Sequence, residues 1–532
     1  MSLNFLFAVH NHQPVGNFAP VFRKAFEDCY RPFLEEIEKH PAFKFTIHFS
    51  GPLWEYMEKH EKDCWEAVRR IAGRGQAELL GGGFYEPILS IIPEEDRIGQ
   101  ISLMNRFIED NFGVKPRGLW LTERVWEPHL PKSLAAAGIE YTLLDEEHFH
   151  YAGIGNIHTS YMTEEEGRAL RLFPIDKKLR YLIPFRSLDE IRAHFAKIES
   201  LGGSAILGDD GEKFGLWPGT HDWVYAKGWL RKFLEFIESG DSGVRTLTFS
   251  EYCDAVPPGG RAYLPPASYK EMMEWALEPG AFDEFRALKE ALADGSEPSS
   301  LHSGHAEPGP SVRRFLRGGY FRDFFLKYPE VNHLHKRMLL VSREIRKSGR
   351  REALPDLYKG QCNDPYWHGI FGGVYLPHLR ESAYSHLLKA EDRVPLEPGW
   401  EETDFDLDGY KEIILRSKPF NAFFKPSYGG ALTELDYKPR SRNLSDVLAR
   451  RRESYHRPSG GDAPGSSVGA SIHEIAKKMP AGAEEILRYD WHPRYSLLDH
   501  FLRPDTTLEK FSRVDYGEQG DFVNQPFRRT RE

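Results

Sequence analysis

The sequence predicts an α/β fold that begins with a barrel of parallel strands and continues into a mainly helical region and a β-rich C-terminal region. Short apolar runs alternate with amphipathic helical patterns over roughly the first half of the chain. Polar residues cluster directly after several of those runs, and further along the pattern turns helical and then strand-like. Such alternation is typical of βαβ units, and seven or eight units suffice for a closed or nearly closed barrel.

The predicted strands of the barrel are apolar runs at residues 3–9, 43–49, 77–82, 118–122, 141–145, 170–173, 204–207 and 246–249. Amphipathic stretches at 94–112 and 229–238 predict two of the covering helices. We therefore expect a catalytic barrel domain over residues 1–255, a helical domain over 256–395 and a β-rich domain over 396–532.

Composition excludes several classes of function. The 532 residues carry a formal charge of -10, which argues against nucleic acid as the main partner, because phosphate binding needs a basic surface. The four cysteines form no CxxC pair, and the first residues lack the basic and long apolar regions of a signal peptide. The sequence contains no apolar run of eighteen or more residues, so we expect no membrane-spanning helix. A reduced cytoplasmic protein is the simplest interpretation.

Polar clusters follow four of the predicted strands, where a parallel barrel places its active site. The clusters are His10 to Gln13, Gly83 to Glu86, Glu123 with Arg124, and Asp209 to Glu212. Since the carboxyl ends of the strands meet at one end of the barrel, we expect these side chains to lie together.

The last two of these clusters supply carboxylates from different strands. Glu123 lies between Trp120 and Trp126, and a second acidic group comprises Asp209, Asp210 and Glu212. A pair of carboxylates is the minimum equipment for glycoside cleavage, with one acting as nucleophile or base and the other as acid. Aromatic rings beside them suit the apolar faces of glucose rings.

Other interpretations of the same residues stay open at this level. A single carboxylate at a strand end usually caps a helix or forms a surface ion pair. His10 and His12 form an HxH pair that could bind zinc with a distant aspartate, or could bind sugar hydroxyls. The tryptophans at 217, 223, 275 and 367 are individually more often core residues than ligand platforms.

Five ordered motifs resemble those of glycoside hydrolase family 57, and most closely its 4-α-glucanotransferase members. They are HNHQP (10–14), GQAELLGGGFYEPIL (75–89), WLTERVWEP (120–128), GDDGEKFGLWPGT (208–220) and EWALEP (274–279). Segments 318–342, 361–380 and 520–527 also look like those enzymes, so the resemblance covers nearly the whole chain.

The resemblance implies a fold and a set of roles. The fold would be an incomplete (β/α)7 barrel, a helical domain and a β-sandwich-like domain, with no cofactor and no catalytic metal. Glu123 would be the nucleophile and Asp210 the general acid/base of a retaining double displacement. The residues implied to line the sugar sites are His10, His12, Gln13, Glu78, Trp120, Glu212, Trp217, Trp275 and Trp367.

The implied partners are an α-1,4-glucan or maltooligosaccharide donor and a sugar acceptor, and a homodimer stays open. The first alternative is an α-amylase of the same family, which would use water as acceptor. The others are a metal-dependent deacetylase or mannosidase using His10 and His12, and a non-catalytic glucan-binding protein. In one respect the chain departs from the pattern: the β-rich domain is short, since such glucanotransferases usually run well past the 520–527 segment.

Overall fold

Seven parallel strands form a ring in the first half of the chain, as a computed structural model shows for residues 2–293, 312, 314–456, 482 and 486–528. The strands of this half are β1 (Leu3–Asn11), β2 (Phe45–Phe49), β3 (Ala77–Leu79), β4 (Gly118–Leu119), β5 (Tyr141–Asp145), β6 (Tyr161–Glu165), β7 (Arg168–Ile175), β8 (Ala205–Asp210) and β9 (Val244–Leu247).

The ring is incomplete because two of its seams rest on single contacts. One sheet runs β3-β2-β1-β8, with β9 also paired to β1, and a second runs β4-β5-β7-β6 with β6 antiparallel on its outer edge. The first seam is a parallel bridge between Gly81 and Leu119, and at the second the amide of Asp176 donates to the carbonyl of Ile206 (2.9 Å). The prediction of an incomplete (β/α)7 barrel is confirmed.

Helices cover the ring, and the strands are buried on both faces, as is usual for a parallel sheet. The α-helices are Ala19–Ala25, Arg31–Glu38, Gly51–His60, Lys62–Gly73, Glu94–Phe112, Leu130–Ala136, Glu146–Tyr151, Lys177–Leu182, Leu188–Ser200, Trp229–Glu238, Phe249–Ala255, Lys270–Ala276 and Pro279–Ala293. Short π-helical turns lie at Phe26–Tyr30 and Asp222–Ala226, and 3-10 turns at Leu89–Ile91, Thr122–Arg124, Gly211–Phe214 and Gly240–Ser242.

The core inside the ring is aromatic and aliphatic. Its buried members include Leu6, Ala8, Leu80, Trp120, Tyr141, Leu143, Phe173, Ile175, Ile206, Leu247, Phe249 and Tyr252. These side chains fill the centre of the barrel, so a ligand has to bind at an end of the strands.

The chain divides into two compact units. Among the described residues the first holds 2–277, 284–293, 312 and 314–321, and the second holds 278–283, 322–456, 482 and 486–528. The domain boundaries predicted at residues 255 and 395 stay a prediction. None of the described helices combines the length and the apolarity that a membrane-spanning helix needs.

The second unit is helical first and then built on an antiparallel sheet, as predicted. Its α-helices are Asp323–Lys327, Pro329–Ser348, Leu354–Gly360, Pro377–Glu391 and Leu508–Ser512, with 3-10 turns at Arg351–Ala353, Asp364–Tyr366, Gly373–Tyr375 and Lys438–Arg440. The sheet runs β10 (Gly399–Thr403), β11 (Glu412–Arg416), β12 (Phe420–Lys425), β13 (Ala431–Tyr437) and β14 (Arg442–Asn443), each antiparallel to the next.

One guanidinium gathers three buried carboxylates in this unit. Arg337 donates to both oxygens of Glu391 (2.8 Å each) and to Glu434 (2.7 Å), and lies 3.3 Å from Asp436. All four side chains are buried. Burial and the neighbouring charge of Glu434 raise the pKa of Asp436 well above its usual range. Arg337 is therefore the cation on which this group of acids depends.

Replacing Arg337 by Met should lower the melting temperature sharply, because breaking a buried ion pair costs about 3–5 kcal/mol. Arg343→Met, on the same helix, is the matched control, since Arg343 is exposed and its ion pair within the described part of the chain is with Glu344 (3.1 Å). Surface pairs contribute about 0–1 kcal/mol. Thermal unfolding followed by circular dichroism checks this, and equal melting temperatures for the two variants would contradict it.

Candidate active site

The register of the strands brings the predicted clusters together at the carboxyl end of the barrel. β1 pairs with β2 so that His10 lies opposite His48, and with β8 so that His10 lies opposite Asp210. The turn that carries Glu123 follows β4 in the same ring. The structure thus places histidines and carboxylates from different strands at one level of the fold.

Glu123 lies on a strained turn. Its φ is 52° and that of Arg124 is 48°, a left-handed conformation that costs non-glycine residues about 1 kcal/mol or more each. Two donors from one later segment hold the turn: the Ser268 hydroxyl donates to the Glu123 carbonyl (2.7 Å), and the Tyr269 hydroxyl donates to Oε2 of Glu123 (2.9 Å). The Tyr269 phenol therefore helps to orient the Glu123 carboxylate.

Arg124 links the two catalytic candidates. Its Nη1 lies 4.0 Å from Oδ1 of Asp210, and its Nε lies 2.7 Å from Oδ2 of Asp145. The guanidinium also sits over the rings of Trp120 (5.4 Å) and Tyr269 (4.7 Å). Burial opposes its charge, but Asp145, Asp210 and Glu123 together raise the pKa of Arg124 above its ordinary value. A fixed positive charge therefore stands beside both carboxylates.

The ion pairs continue beneath this end of the barrel. Arg180 donates to Asp145 (2.7 Å) and to Asp209 (3.2 Å), and Lys213 donates to the second oxygen of Asp209. All of these groups are buried. Asp209, the neighbour of Asp210, is thus occupied by two cations and serves as an anchor, while Asp210 stays half-buried and faces Arg124.

Glu212 completes the acidic cluster. Its Oε1 accepts from the backbone amide of His12 (2.9 Å) and from the Tyr30 hydroxyl (2.6 Å). Burial, and next the charge of Asp210, raise the pKa of Glu212 to about 7, although the two hydrogen bonds work in the opposite direction. At neutral pH this carboxyl is divided between its protonated and ionised forms.

A π-helical turn presents Tyr30 to Glu212. Phe26–Tyr30 bulges between two α-helices, and the Cys29 thiol at its end donates to the carbonyl of Gly211 (3.2 Å). Gly211 has to be glycine, because a Cβ there would lie 2.0 Å from Oδ1 of Asn11. Single-turn π-bulges are frequent at functional sites.

His10 lies opposite Asp210 on the neighbouring strand. Its ring stacks on Trp120 at 4.7 Å with 5° between the planes, and its Nδ1 lies 2.8 Å from Nδ1 of His48. Oε1 of Glu86 lies 3.8 Å from His10 and 3.5 Å from His48, and the Thr122 hydroxyl donates to its other oxygen (2.6 Å). Burial lowers the pKa of both histidines, to about 3 for His48.

This group of side chains is also one of the places where the described residues could hold a metal ion. The ligand atoms of His10, His48 and Glu86 lie within 4.8 Å of one another. The zinc alternative would therefore use His10 with His48 rather than with His12. The 2.8 Å spacing of the two imidazole nitrogens is, however, that of a hydrogen bond that shares one proton.

Several predicted sugar-contact residues are covered by protein. The ring of Trp120 is 1% exposed and lies behind His10, and Trp217 is 5% exposed between Phe185 (5.8 Å) and the ammonium of Lys213 (4.9 Å). Neither ring presents an open face of the kind a stacking platform needs. Both support side chains of the cluster.

Three other predicted residues are placed in different ways. Trp275 is half-buried and lies edge-on to Tyr269 (6.0 Å), close to the nucleophile candidate. Gln13 is buried and bonds to Tyr30 (3.4 Å). Trp367 belongs to the second unit, where it is buried and donates to Asn363 (2.8 Å).

The structure does not bring Glu78 to the cluster. Glu78 pairs in register with Thr46, two residues before His48, which corresponds to roughly 6–7 Å along the strand. Its oxygens accept from Tyr141 (2.6 Å) and from the amide and hydroxyl of Ser250. The glutamate that reaches His10 is instead Glu86, from the loop after β3.

Comparison with known proteins assigns the family. A model described as Glycosyl hydrolase family 57 matches residues 6–265, and models described as the middle and C-terminal domains of Alpha-amylase/4-alpha-glucanotransferase match 319–394 and 404–532. A 4-alpha-glucanotransferase of Thermococcus litoralis is 45% identical over 99% of this chain and 78% of its own length. The chain belongs to glycosyl hydrolase family 57.

Family 57 relatives of nearly equal identity carry two names. An Alpha-amylase of Pyrococcus furiosus is 44% identical over 99% of this chain and 78% of its own length. The crystal structure of the 4-alpha-glucanotransferase from Thermococcus litoralis superposes with a TM-score of 0.88 at 43% identity, covering 99% of this chain and 77% of that one. The family and the fold are therefore shown.

Tyr30→Phe should raise the pKa of Glu212 further above 7, because the phenol stabilises the ionised carboxylate and its loss favours the protonated form. An infrared pH titration measures this through the protonated-carboxyl band that is absent in Glu212→Gln. Tyr225→Phe is the matched control, since the Tyr225 hydroxyl donates to the Cys29 carbonyl (3.1 Å). A Tyr30→Phe titration midpoint equal to or below that of the unmodified protein would contradict the assignment.

Proposed function

We propose that this chain is a retaining 4-α-glucanotransferase that acts on α-1,4-glucans and maltooligosaccharides. The observation that carries the proposal is the arrangement of Glu123 and Asp210 around Arg124, with Tyr269 orienting Glu123. The 45% identity to a 4-alpha-glucanotransferase over nearly the whole chain supports the same activity.

The first half of the reaction forms a covalent sugar ester. Asp210, in its protonated form, donates its proton to the glycosidic oxygen while Glu123 attacks the anomeric carbon. The C–O bond to the leaving sugar breaks, and a β-glycosyl-enzyme on Glu123 results. The Tyr269 hydroxyl orients Glu123 toward that carbon, and the positive charge of Arg124 stands beside the carboxylate.

The second half transfers the sugar. Asp210, now ionised, takes the proton from the 4-hydroxyl of an acceptor glucan, whose oxygen attacks the anomeric carbon and releases Glu123. Water in the place of that hydroxyl would give an α-amylase, which is the second candidate because an Alpha-amylase is 44% identical to the chain. Transfer requires that the acceptor be held while water is excluded.

The remaining sites follow from the geometry of the cluster. We assign sugar contact to His10, which lies opposite Asp210, to His12 and Glu212, which share a hydrogen bond, and to Trp275, which lies beside Tyr269. Trp120, Trp217 and Gln13 are assigned a supporting role. Trp367 stays a proposed stacking residue. Glu78 is less suited to sugar contact because its oxygens already accept hydrogen bonds.

The four cysteines are free, and we therefore propose that the protein works in a reducing cytoplasm.

Incubation with maltotriose alone tests the function. A transferase should produce a ladder of longer maltooligosaccharides and glucose with little net gain in reducing ends. Glu123→Gln should abolish turnover while retaining maltooligosaccharide binding, because only the nucleophile is lost. Glu127→Gln, a carboxylate on the same segment, is the matched control and should stay active. Shorter products alone, with reducing ends rising in step, would mean an amylase, and an active Glu123→Gln would refute the nucleophile.

Asp210→Asn should slow cleavage most where the leaving group needs a proton. We expect maltooligosaccharides to lose rate by about 10²- to 10⁴-fold, the usual contribution of general acid catalysis, and activated aryl α-maltosides far less in the first step. Steady-state and burst kinetics with both substrates measure this. Equal losses for both substrates would show that Asp210 is not the acid.

A further inference from the structure

His48 is a buried histidine that the reaction scheme does not use. It lies on β2 within an apolar strand and is 0% exposed. Its Nδ1 is 2.8 Å from Nδ1 of His10, the histidine that lies opposite Asp210 in the next strand pair. The centroids of the two rings are 5.0 Å apart with 23° between their planes, so the nitrogens meet edge to edge.

The two rings share a single proton in the hydrogen bond between them. Burial keeps both imidazoles neutral, since it lowers the pKa of each. A neutral imidazole has one N–H and one bare nitrogen. One Nδ1 therefore donates and the other accepts, and the direction of this bond decides which nitrogen of His10 carries its hydrogen.

The surroundings of His48 decide the direction. Its Nε2 is buried without a hydrogen-bond partner among the described residues and lies against Gly82, where a Cβ would come within 2.6 Å of it. An orphaned buried N–H is rarer than an under-satisfied acceptor, so the proton belongs on Nδ1. Oε1 of Glu86 agrees with this, because it lies closer to Nδ1 of His48 (3.5 Å) than to that of His10 (3.8 Å).

His10 is then an acceptor at Nδ1 and carries its hydrogen on Nε2. The ring of Trp120 stacks on His10 and fixes the plane in which that hydrogen points. We propose that His48 is a positioning residue that holds His10 as an Nε2–H donor, so that His10 donates a hydrogen bond to a hydroxyl oxygen of the bound glucan. The role in sugar binding rests on the proposed function, whereas the direction of the bond does not.

The sugar hydroxyl that accepts from His10 can still donate its own O–H in a second hydrogen bond. Asp210 lies in register with His10 on the neighbouring strand, and Glu212 follows it. A donor on one side and carboxylates on the other select a hydroxyl, which can accept and donate at once. An ether or a fluorine cannot satisfy both sides.

Neutron diffraction of the full chain, crystallised and exchanged into heavy water, tests the direction of the bond. We expect deuterium on Nδ1 of His48 and on Nε2 of His10. Deuterium on Nδ1 of His10 would overturn the proposal. This readout needs neither a variant nor activity, so a protein that fails to disproportionate maltotriose but shows the expected deuterons would overturn the proposed function alone.

Kinetics with two nearly isosteric variants test the role in binding. His48→Asn keeps an N–H donor near the Nδ1 position, and should retain kcat/KM for maltotriose within about threefold. His48→Asp offers only acceptor oxygens and reverses the bond, so kcat/KM should fall by about 10- to 100-fold. Melting temperatures show whether each variant folds. An aspartate variant as active as the asparagine variant would overturn the role, and the neutron result decides the direction if either variant fails to fold.

Discussion

The rest of the site depends on a series of buried ion pairs. The series runs from Lys213 to Asp209, Arg180, Asp145 and Arg124. Buried charges are tolerated only when they are paired, so each member fixes the next. Two residues of this series are sequence neighbours of the proposed catalytic carboxylates: Arg124 directly follows Glu123, and Asp209 directly precedes Asp210. Successive side chains of an extended strand point to opposite faces, so anchoring Asp209 leaves Asp210 free to face Arg124.

Two glutamates of the site, Glu86 and Glu123, lie on irregular turns and not on regular strands. Glu86 and Glu123 both have φ of 52°, and each leaves its strand end through a turn that a non-glycine residue resists. Hydrogen bonds from Thr122 to Glu86, and from Tyr269 to Glu123, hold these turns closed. Strain of this kind persists only where the surroundings over-determine the conformation, and the ion pairs at Arg124 supply that rigidity.

Local sequence patterns could predict the strands, the covering helices and the end of the barrel where polar residues gather. The strand at Tyr141–Asp145 and the helices Glu94–Phe112 and Trp229–Glu238 agree with the prediction residue for residue. Patterns could not separate Glu86 from Glu78, because both occupy one motif and only the register with β2 places them at different levels. His48 stands inside the apolar run 43–49, which gives it no separate signal, and Tyr269 comes from a segment with no local link to Glu123. Trp120 and Trp217 are buried beside His10 and Lys213, and a sequence pattern cannot distinguish a covered ring from an open one.

Transfer and hydrolysis require the same roles of the two carboxylates and of the buried ion pairs around them. In the proposed mechanism both reactions pass through the same ester on Glu123, and both need Asp210 to take a proton from the incoming oxygen. The ion pairs, the strained turns and the histidine pair would therefore serve an amylase as well as a glucanotransferase, which is consistent with the 45% and 44% identities to relatives of each name. Selectivity for a sugar acceptor has to come from binding energy that water cannot supply, and so from side chains that touch the acceptor. We therefore propose Trp275, a half-buried aromatic whose ring centroid lies 6.0 Å from that of Tyr269, as a residue that contacts the acceptor.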